Sequence, residues 1–486
     1  MTPHRLAVIG TSGQITYREL VARARALAVR LADVPPGAVG ILLPPGPSLA
    51  VAFLGCAAAG RVALLLNESG PPARTDLILR DAATTAVIGR ASAAPAVPGG
   101  VLLIDIDGAF PSAAVGWCEP ADSDEAATVA FTSGSTGVPK GVMRSHHRMF
   151  VQAHADAAVG KIAADDTTLC LFDPSTGSGL SGLALPLILG ATQVTAPLLQ
   201  LGVSRLLRTM ADARVTQLSG APQALATLLR GSGARDATAA LERIVVKGDA
   251  MLATDLDAIR RNTPPTCSIW HGYGLTETSS VAGWHIPRAY VCRTARVPAG
   301  YVTAGIIASV RDEAGQAVAP GEAGELWISS AEPATGQWQA GRIIAAVVAP
   351  DPDNAGRRLF RTGDLVRFDP DGLLHVVGRR DRQVKINGVR VDPAEAENAL
   401  RTAPGVSDTA VLAETDGLAS RLVAYVVAAT PPDPAFEDAL REHLRTRLPS
   451  AMHPAQFVFV AQVPRTGTGK VNASELAKQG QQELAQ

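Results

Sequence analysis

The stretch Thr-Ser-Gly-Ser-Thr-Gly-Val-Pro-Lys-Gly at residues 132–141 decides how this chain is interpreted. It carries four hydroxyl side chains, three glycines and one lysine, directly after the apolar run Ala127–Phe131. Glycines let successive backbone N–H groups turn toward one anion, and Lys140 adds a mobile positive charge that steadies phosphate oxygens. The Walker pattern is excluded, because Lys140 is not followed by Ser or Thr. The stretch predicts a phosphate-binding loop, with a plain surface loop as the alternative for the stretch on its own.

Composition limits the classes of partner. The 486 residues allow two or three domains with large cores, and the hydrophobic share of 47 % with only 4 % aromatics is typical of α/β enzymes with buried parallel sheets. Lys and Arg total 44 against 45 Asp and Glu, so neither a nucleic acid nor a membrane is expected as partner. Five scattered cysteines without a Cys-x-x-Cys pair, and a start without a secretory signal, favour a soluble, cytoplasmic protein.

Helical and strand-like segments alternate along most of the chain. Thr16–Leu31 has helical periodicity, Val39–Leu43 is apolar and strand-like, and such pairs recur as far as His271. This alternation predicts layered α/β architecture with largely parallel sheets. The expected fold class is α/β: a large N-terminal domain (residues 1–380) of layered α/β sheets plus a β subdomain after about residue 300. A small mobile α+β C-terminal domain (residues 381–486) follows.

Two further segments predict nucleotide chemistry. In His271-Gly272-Tyr273-Gly274-Leu275-Thr276-Glu277, glycines permit close backbone approach, the threonine can bind a phosphate oxygen and the glutamate is a hard ligand suited to Mg²⁺. Arg361-Thr362-Gly363-Asp364 ends in a carboxylate that can accept both hydrogens of a ribose diol. Either segment on its own could be an ordinary structural turn.

Two basic segments complete a set of five. Gly378–Lys385 is rich in arginine, and Pro464–Lys470 is a glycine-flexed loop that presents a lysine. Together and in this order, the five segments resemble the adenylate-forming superfamily: acyl-CoA synthetases, luciferases and the adenylation domains of nonribosomal peptide synthetases. The resemblance runs from about Thr16 to Lys470 and is strongest to a free-standing adenylation enzyme.

The resemblance implies two half-reactions. In the first, a carboxylate attacks the α-phosphorus of ATP bound with Mg²⁺, which gives an acyl-adenylate and pyrophosphate. In the second, a thiol attacks the adenylate carbonyl and AMP leaves. ATP and Mg²⁺ are therefore the expected cofactors. The physical problem of the first step is to gather two anions against their mutual repulsion.

The resemblance also assigns the phosphate contacts. The residues that hold the β- and γ-phosphates and the pyrophosphate are Thr132, Ser133, Gly134, Ser135, Thr136, Gly137 and Lys140. Thr276 and Glu277 serve the α-phosphate and Mg²⁺. Lys470 bridges the carboxylate and the α-phosphate oxygens, a role that suits a lysine because a mobile point charge can follow charge as it develops.

The nucleoside contacts and a hinge follow from the same resemblance. Tyr273 packs on adenine, His271 belongs to the AMP site, and Asp364 binds the ribose with help from Arg379. Asp381 falls where the family has its hinge, so that rotation there would remove the catalytic lysine before thiolation. An ordinary linker carboxylate is the alternative for Asp381.

One segment bears on the identity of the acid. Phe172-Asp173-Pro174-Ser175 resembles the Phe-Asp-Ala-Ser segment of amino-acid-activating domains, whose aspartate pairs with the amino group of the substrate. The residues after Ser175 are glycine-rich and depart from the usual continuation. Asp173 is therefore either an amine anchor or a loop or N-cap aspartate.

Three more residues are expected at the acid pocket. Lys247 stands where the family usually has a small residue. Its side chain either pairs with an acidic or polar tail of the substrate, shortens the acid pocket with its aliphatic stem, or points to solvent. Gly272 leaves room, and His146 lies near the carboxylate entry or only caps a helix. Together these residues favour a small or polar amino or hydroxy acid over a long fatty acid.

The thiol acceptor stays open at this stage. No carrier module follows Lys470, so a phosphopantetheinylated carrier protein is expected to act in trans. Gln383-Val384-Lys385 and the Phe-Asp-Pro-Ser segment favour the carrier protein, whereas Gly-Tyr-Gly-Leu-Thr-Glu favours CoA. An inactive ligand-binding relative is the alternative from a different class, and the presence of Lys470, Glu277 and the 132–140 loop opposes it.

Overall fold

The computed structural model describes residues 3–108, 125–132, 139–196, 201–331, 336–339, 341–344, 349–380, 383–415, 420–430, 434–465 and 471–483. These residues form two compact units. The first is drawn from residues 1–68, 79–131 and 141–380, and the second from residues 69–78, 132–140 and 381–486. Within the described ranges, no helix is both long and apolar enough to cross a membrane.

The first unit contains a nine-stranded sheet. Its strands are β1 (Leu6–Gly10), β2 (Gly13–Thr16), β9 (Thr167–Cys170), β10 (Thr192–Thr195), β11 (Gln217–Gly220), β12 (Arg243–Val246), β13 (Ser268–Leu275), β14 (Ser279–His285) and β15 (Tyr301–Val302). The order is β15-β14-β13-β12-β11-β9-β10-β1-β2. Neighbours from β13 to β1 are parallel, whereas β14 is antiparallel to β13.

An eight-stranded sheet lies in the same unit. Its strands are β3 (Ala38–Leu42), β4 (Val62–Leu65), β5 (Ala86–Gly89), β6 (Leu102–Asp105), β7 (Ala126–Thr132), β8 (Lys140–Ser145), β18 (Gly336–Gln339) and β19 (Arg342–Ile344). The order is β19-β18-β8-β7-β4-β3-β5-β6, with β3 parallel to both β4 and β5. Parallel strand neighbours in both sheets, with helices between these strands along the chain, confirm the predicted α/β fold class.

Apolar helices fill the space against these sheets. The helices within the described ranges are α1 (Tyr17–Ala32), α2 (Pro47–Ala58), α3 (Pro72–Asp81), α4 (His146–Gly160), α5 (Gly177–Leu189), α6 (Val203–Asp212), α7 (Pro222–Leu229), α8 (Ala234–Ala237), α9 (Ala253–Arg261), α10 (Pro393–Arg401), α11 (Pro434–Arg445) and α12 (Ala473–Glu483). Short 3₁₀ turns cover Ala91–Ala96 and Ser450–Met452. Thr16 and Glu19 close a capping box at the start of α1, and Leu20, Leu27 and Leu31 of that helix are fully buried.

The predicted β subdomain is present at the end of the first unit. Its strands are β16 (Ile306–Arg311), β17 (Gly324–Ser330), β20 (Ala349–Pro350), β21 (Arg358–Phe368) and β22 (Leu374–Arg379). All of its neighbours pair antiparallel, and β21 pairs with β22 so that Asp364 lies opposite Arg379. This pairing sets up the first part of the site below.

The second unit is a small α+β structure. Its strands are β23 (Val384–Ile386), β24 (Val389–Val391), β25 (Val406–Thr415), β26 (Ser420–Ala428) and β27 (Gln456–Phe459). Asn387 and Gly388 have φ of 52° and 81°, the two positive values that a tight hairpin turn requires, as their sequence predicts. Asp392 caps α10, since its Oδ1 accepts the Ala394 N–H at 2.9 Å.

One helix differs from the sequence pattern in a way that matters for the site. Periodicity predicts a helix at Leu183–Leu189, but α5 begins at Gly177. Thr176 is its N-cap, and its Oγ1 accepts the Gly179 N–H at 3.1 Å. Glycines are poor helix formers, so the cap and tertiary packing, and not propensity, define this first turn.

Candidate active site

Several predicted residues meet at one edge of the nine-stranded sheet. Asp173 follows β9, Lys247 follows β12, and β13 carries residues 271–273, with His271 in register with Val246. Because these strands are parallel, their carboxyl ends lie together. In open α/β sheets, ligands bind in the crevice at this edge. The geometry therefore favours this edge as the site.

Three residues form what we name the Asp364 cluster: Tyr273, Asp364 and Arg379. The Tyr273 hydroxyl donates to Oδ2 of Asp364, and Nη1 of Arg379 donates to Oδ1 at 2.5 Å. The side chains of Asp364 and Arg379 are 5 % and 13 % exposed. Burial raises the pKa of the Tyr273 hydroxyl well above its usual range, and the Asp364 carboxylate raises it further. The tyrosine therefore stays a proton donor at neutral pH.

His271 points to the opposite side of β13 from Gly272. Its ring is buried, and Nδ1 lies 2.9 Å from the Pro298 carbonyl, which the Trp284 indole N–H also contacts at 3.1 Å. Burial lowers the pKa of His271 to about 4, so the neutral ring donates through Nδ1. These contacts give His271 a structural partner, and its contribution to the AMP site stays a prediction.

The sequence analysis missed Arg144. This arginine lies on β8, where every residue from Gly141 to Ser145 is buried, and its whole residue is 6 % exposed. A side chain placed on Gly177 would come within 3.0 Å of Nη2 of Arg144 and 3.1 Å of Oγ1 of Thr276. The signal that could have found it is a charged residue within a short, otherwise buried strand. We name Arg144, Gly177 and Thr276 the Arg144 group.

Glu277 is the one predicted metal ligand. It is buried, and it lies close enough to Arg144 to influence the pKa of that guanidinium. Within the described ranges, no group of three or more His, Cys, Asp or Glu residues could hold a metal ion. Mg²⁺ in nucleotide sites takes one or two carboxylates plus substrate phosphates, so a single glutamate beside Thr276 fits such an ion.

Asp173 forms a turn at the start of the acid segment. Its Oδ1 accepts the Ser175 N–H at 2.8 Å and the Ser175 hydroxyl at 2.6 Å, while its carbonyl accepts the Thr176 hydroxyl at 2.7 Å. These contacts correspond to the loop-aspartate alternative. They occupy Oδ1, so an amine anchor would use Oδ2.

Lys247 follows β12, and Gly272 lies on the neighbouring strand β13. Lys247 is partly exposed, and its backbone N–H donates to the Gly220 carbonyl at 3.2 Å. A side chain on Gly272, or on Gly283 of β14, would overlap the indole ring of Trp270. The room that Gly272 leaves is therefore filled by this ring, a long-range packing effect that the sequence pattern did not predict.

His146 is the first residue of α4 and not its cap. The cap is Ser145, whose Oγ accepts the Arg148 N–H at 3.1 Å. The capping alternative for His146 is thus wrong. Burial lowers the pKa of this histidine, while Glu125 raises it. Its location at the carboxylate entry stays a prediction.

Several predicted residues lie outside the described ranges. They are Ser133, Gly134, Ser135, Thr136, Gly137, Asp381 and Lys470. At the flanks of the loop, Thr132 ends β7 and Lys140 begins β8. The roles of all these residues stay predictions.

Known families match nearly the whole chain. The AMP-binding enzyme family matches residues 1–338, and the AMP-binding enzyme C-terminal domain matches residues 395–470. The first match covers well over half of the 486 residues and contains two of the five predicted segments, residues 132–141 and 271–277.

Individual relatives agree. Tyrocidine synthase 3 of Brevibacillus parabrevis is 31 % identical over 98 % of this chain, which spans only 7 % of that synthase. Novobiocin biosynthesis protein H of Streptomyces niveus is 32 % identical over 98 % of this chain and 80 % of that protein. A double mutant of o-succinylbenzoate CoA synthetase from Bacillus subtilis shares the fold, with TM-score 0.84, 24 % identity and coverage of 99 % and 97 % of the two chains. The chain therefore belongs to the AMP-binding enzymes, the family of adenylate-forming ligases that its five motifs predict.

Proposed function

We propose that the chain activates a small polar carboxylic acid with ATP and transfers the acyl group to the phosphopantetheine thiol of a carrier protein. The Asp364 cluster is the observation that carries this proposal. A carboxylate has about four lone-pair sites. Tyr273 and Arg379 use one on each oxygen, which leaves acceptors for the two hydroxyls of a ribose. The cluster holds these acceptors in place before a nucleotide arrives.

The adenylation step follows from the charges involved. A carboxylate oxygen of the acid forms a bond to the α-phosphorus, and the bond to the pyrophosphate oxygen breaks. Thr276 would donate to an α-phosphate oxygen, and Lys470 would offset the charge shared by carboxylate and phosphate. Glu277 would hold Mg²⁺, which would supply further neutralisation of the phosphate charge. ATP and Mg²⁺ are thus the proposed cofactors.

The proposed substrate acid and the proposed thiol acceptor are supported by local features of the sequence and the structure. Asp173 and Lys247 both follow strands at the site edge, and either can recognise a polar substituent. A carrier protein is supported by the Phe-Asp-Pro-Ser segment and by similarity to a tripeptide synthetase. Transfer to CoA is the second candidate, which the Gly-Tyr-Gly-Leu-Thr-Glu segment favours.

ATP–pyrophosphate exchange across amino, β-amino, hydroxy, aryl and fatty acids tests the first step. We expect exchange with small polar acids, and a loss of about 100-fold or more in Lys470→Ala, because a contact made in the transition state is removed. Lys478→Ala, at an exposed position of α12, is the matched control and keeps full exchange. Exchange only with medium or long fatty acids would refute the substrate class, and no exchange with any acid would favour an inactive relative.

Two follow-up measurements test the finer assignments. Asp173→Asn keeps the acceptor that binds Ser175, so an amine anchor is revealed by lower exchange with an amino acid but not with its hydroxy analogue. Equal effects on both acids would leave Asp173 as a turn residue. Acyl transfer from the adenylate to a phosphopantetheinylated carrier protein is then compared with transfer to CoA at equal thiol concentration.

A further inference from the structure

Arg144 is a buried guanidinium without an ion-pair partner in the described part of the chain. Its Nε has no hydrogen-bond partner there. Nη1 lies 3.4 Å from the Gly177 carbonyl, which is beyond the usual 2.7–3.2 Å of an N–H to O hydrogen bond. Burying a charge without pairing it is strongly unfavourable, so such a group requires an explanation.

Its neighbours do not neutralise it through contact. Asp156 and Glu277 attract the guanidinium and Arg148 repels it, but none of the ion pairs between described residues includes Arg144. Asp156 accepts from Gln152 at 2.6 Å, and Arg148 donates to the Thr278 carbonyl at 3.1 Å. Burial lowers the pKa of Arg144 to about 10, which still leaves it charged at neutral pH.

The guanidinium lies beside the N-terminus of α5, a helix of 13 residues. Nη2 of Arg144 and Oγ1 of Thr276 both lie close to Gly177, since a Cβ at Gly177 would be 3.0 Å from the first atom and 3.1 Å from the second. Helix N-termini carry a partial positive charge and present backbone N–H groups, so they attract anions. Arginine matches the planar geometry of a carboxylate. Arg144 and the N-terminus of α5 therefore both favour an anion at this point.

We propose that Arg144 and the N-terminus of α5 bind a second carboxylate of the acid that the enzyme activates. The inference rests on the proposed function and narrows its substrate to dicarboxylic acids. A carboxylate is favoured over a nucleotide phosphate because Arg144 is next to α5, the helix that follows Asp173, and the proposed function assigns Asp173 to recognition of the acid. Lys247 adds a second positive charge at the edge of the nine-stranded sheet where Asp173 lies.

The test compares acids of equal chain length in the wild type and in Arg144→Met. The pairs are malonate with propionate, succinate with butyrate, and glutarate with valerate. In the wild type, at least one dicarboxylate exchanges with a kcat/KM about tenfold or more above that of its partner, and it raises the unfolding midpoint. In Arg144→Met, both the preference and the midpoint shift are lost, while exchange with the monocarboxylate changes by about threefold or less. Arg230→Met, at a more exposed arginine, is the matched control and keeps the preference.

The unfolding midpoint of Arg144→Met distinguishes substrate recognition by Arg144 from a structural role of this residue. Removing a buried charge that lacks a partner is neutral or stabilising, so Arg144→Met is expected to unfold at or above the wild-type midpoint. A lower midpoint with all acids slowed equally would overturn the inference in favour of a structural arginine. Weaker ATP binding with an unchanged acid preference would overturn it in favour of a phosphate contact.

The two proposals fail differently. A wild type that prefers monocarboxylates overturns the inference about Arg144 and leaves the adenylation proposal intact. If no acid exchanges, the adenylation proposal fails, and the midpoint shift with malonate, succinate and glutarate still decides whether Arg144 binds a dicarboxylate. Absence of any Arg144-dependent shift then overturns the inference.

Discussion

The Asp364 cluster and the Arg144 group differ in whether their buried charge is paired within the described part of the protein. In the cluster, Tyr273 and Arg379 each satisfy one oxygen of a buried carboxylate. In the Arg144 group, the guanidinium is equally buried. Among the described residues, its polar contact is a backbone carbonyl 3.4 Å away. The first arrangement is complete in the protein alone, whereas the second is complete only when an anion is added.

The difference corresponds to the two ligands of the proposed reaction. A group that every turnover requires, such as a ribose, is best met by acceptors fixed in advance. A group that distinguishes one acid from another is best met by a buried charge that is satisfied only by the correct substrate, since an incorrect one leaves it unpaired.

All five tryptophans lie at or before residue 338, so tryptophan fluorescence reports unfolding of the larger part of the chain.

The largest effect on stability is expected from a substitution that breaks the Asp364 cluster. Asp364→Asn removes the carboxylate charge that pairs with the Arg379 guanidinium, which is 13 % exposed, and the free energy of unfolding is expected to fall by about 3–5 kcal/mol. Urea unfolding followed by tryptophan fluorescence measures it. Asp107→Asn is the control, because Asp107 pairs with Arg90 at the surface and is expected to lose about 1 kcal/mol or less. Similar losses in both variants would contradict the contrast.

The second prediction concerns His271 and pH. Its pKa is about 4 in the folded chain against an ordinary 6.5, so between these values the unfolded chain binds a proton that the folded chain does not. The stabilisation by neutral His271 is present above pH 6.5 and is lost as pH falls toward 4. The difference in unfolding free energy between wild type and His271→Asn should shrink by about 3 kcal/mol from pH 7 to pH 4.

Asparagine can keep the donor to Pro298, so the comparison isolates the proton. His154→Asn, at an exposed position of α4, is the control and should follow the wild type at every pH. A constant difference between His271→Asn and the wild type across this range would disprove the assignment.

The third prediction tests packing on the acid side. Gly272→Ala would overlap the Trp270 ring and is expected to cost about 1–3 kcal/mol. The cost should shrink when Trp270→Leu removes the ring, which a double-mutant cycle by urea unfolding measures. Gly99→Ala, where an added methyl meets nothing within 4 Å, is the control. An equal cost in both backgrounds would mean that the ring is not what excludes a side chain.

The smallest expected effect lies in the Asp173 turn. Ser175→Ala removes the hydroxyl donor 2.6 Å from Oδ1 but keeps the backbone donor, so a loss of about 1 kcal/mol is expected in urea unfolding. Thr209→Ala, at a partly exposed position of α6, should lose no stability because alanine favours a helix. A Ser175→Ala variant as stable as the wild type would show that the hydroxyl contributes no net stabilisation to the turn.

Much of the fold was predictable from local patterns. The helix after Thr16, the hairpin turn at Asn387 and the cap at Asp392 depend on periodicity, φ preference and capping, which act over a few neighbouring residues. The start of α5 was not predictable from periodicity, because Gly177 and Gly179 weaken the helical signal while Thr176 and tertiary packing define the helix start.

The sequence by itself determined the family, the alternation of helices and strands, and the residue types available for ATP chemistry. Only the tertiary structure decided that Asp364 meets Tyr273 from 91 residues away, that Trp270 fills the space at Gly272, and that Arg144 faces Gly177. Periodicity and capping are properties of adjacent residues and can be read along the chain. Burial and pairing depend on which strands become neighbours in a sheet, so a buried charge becomes apparent only after the chain has folded.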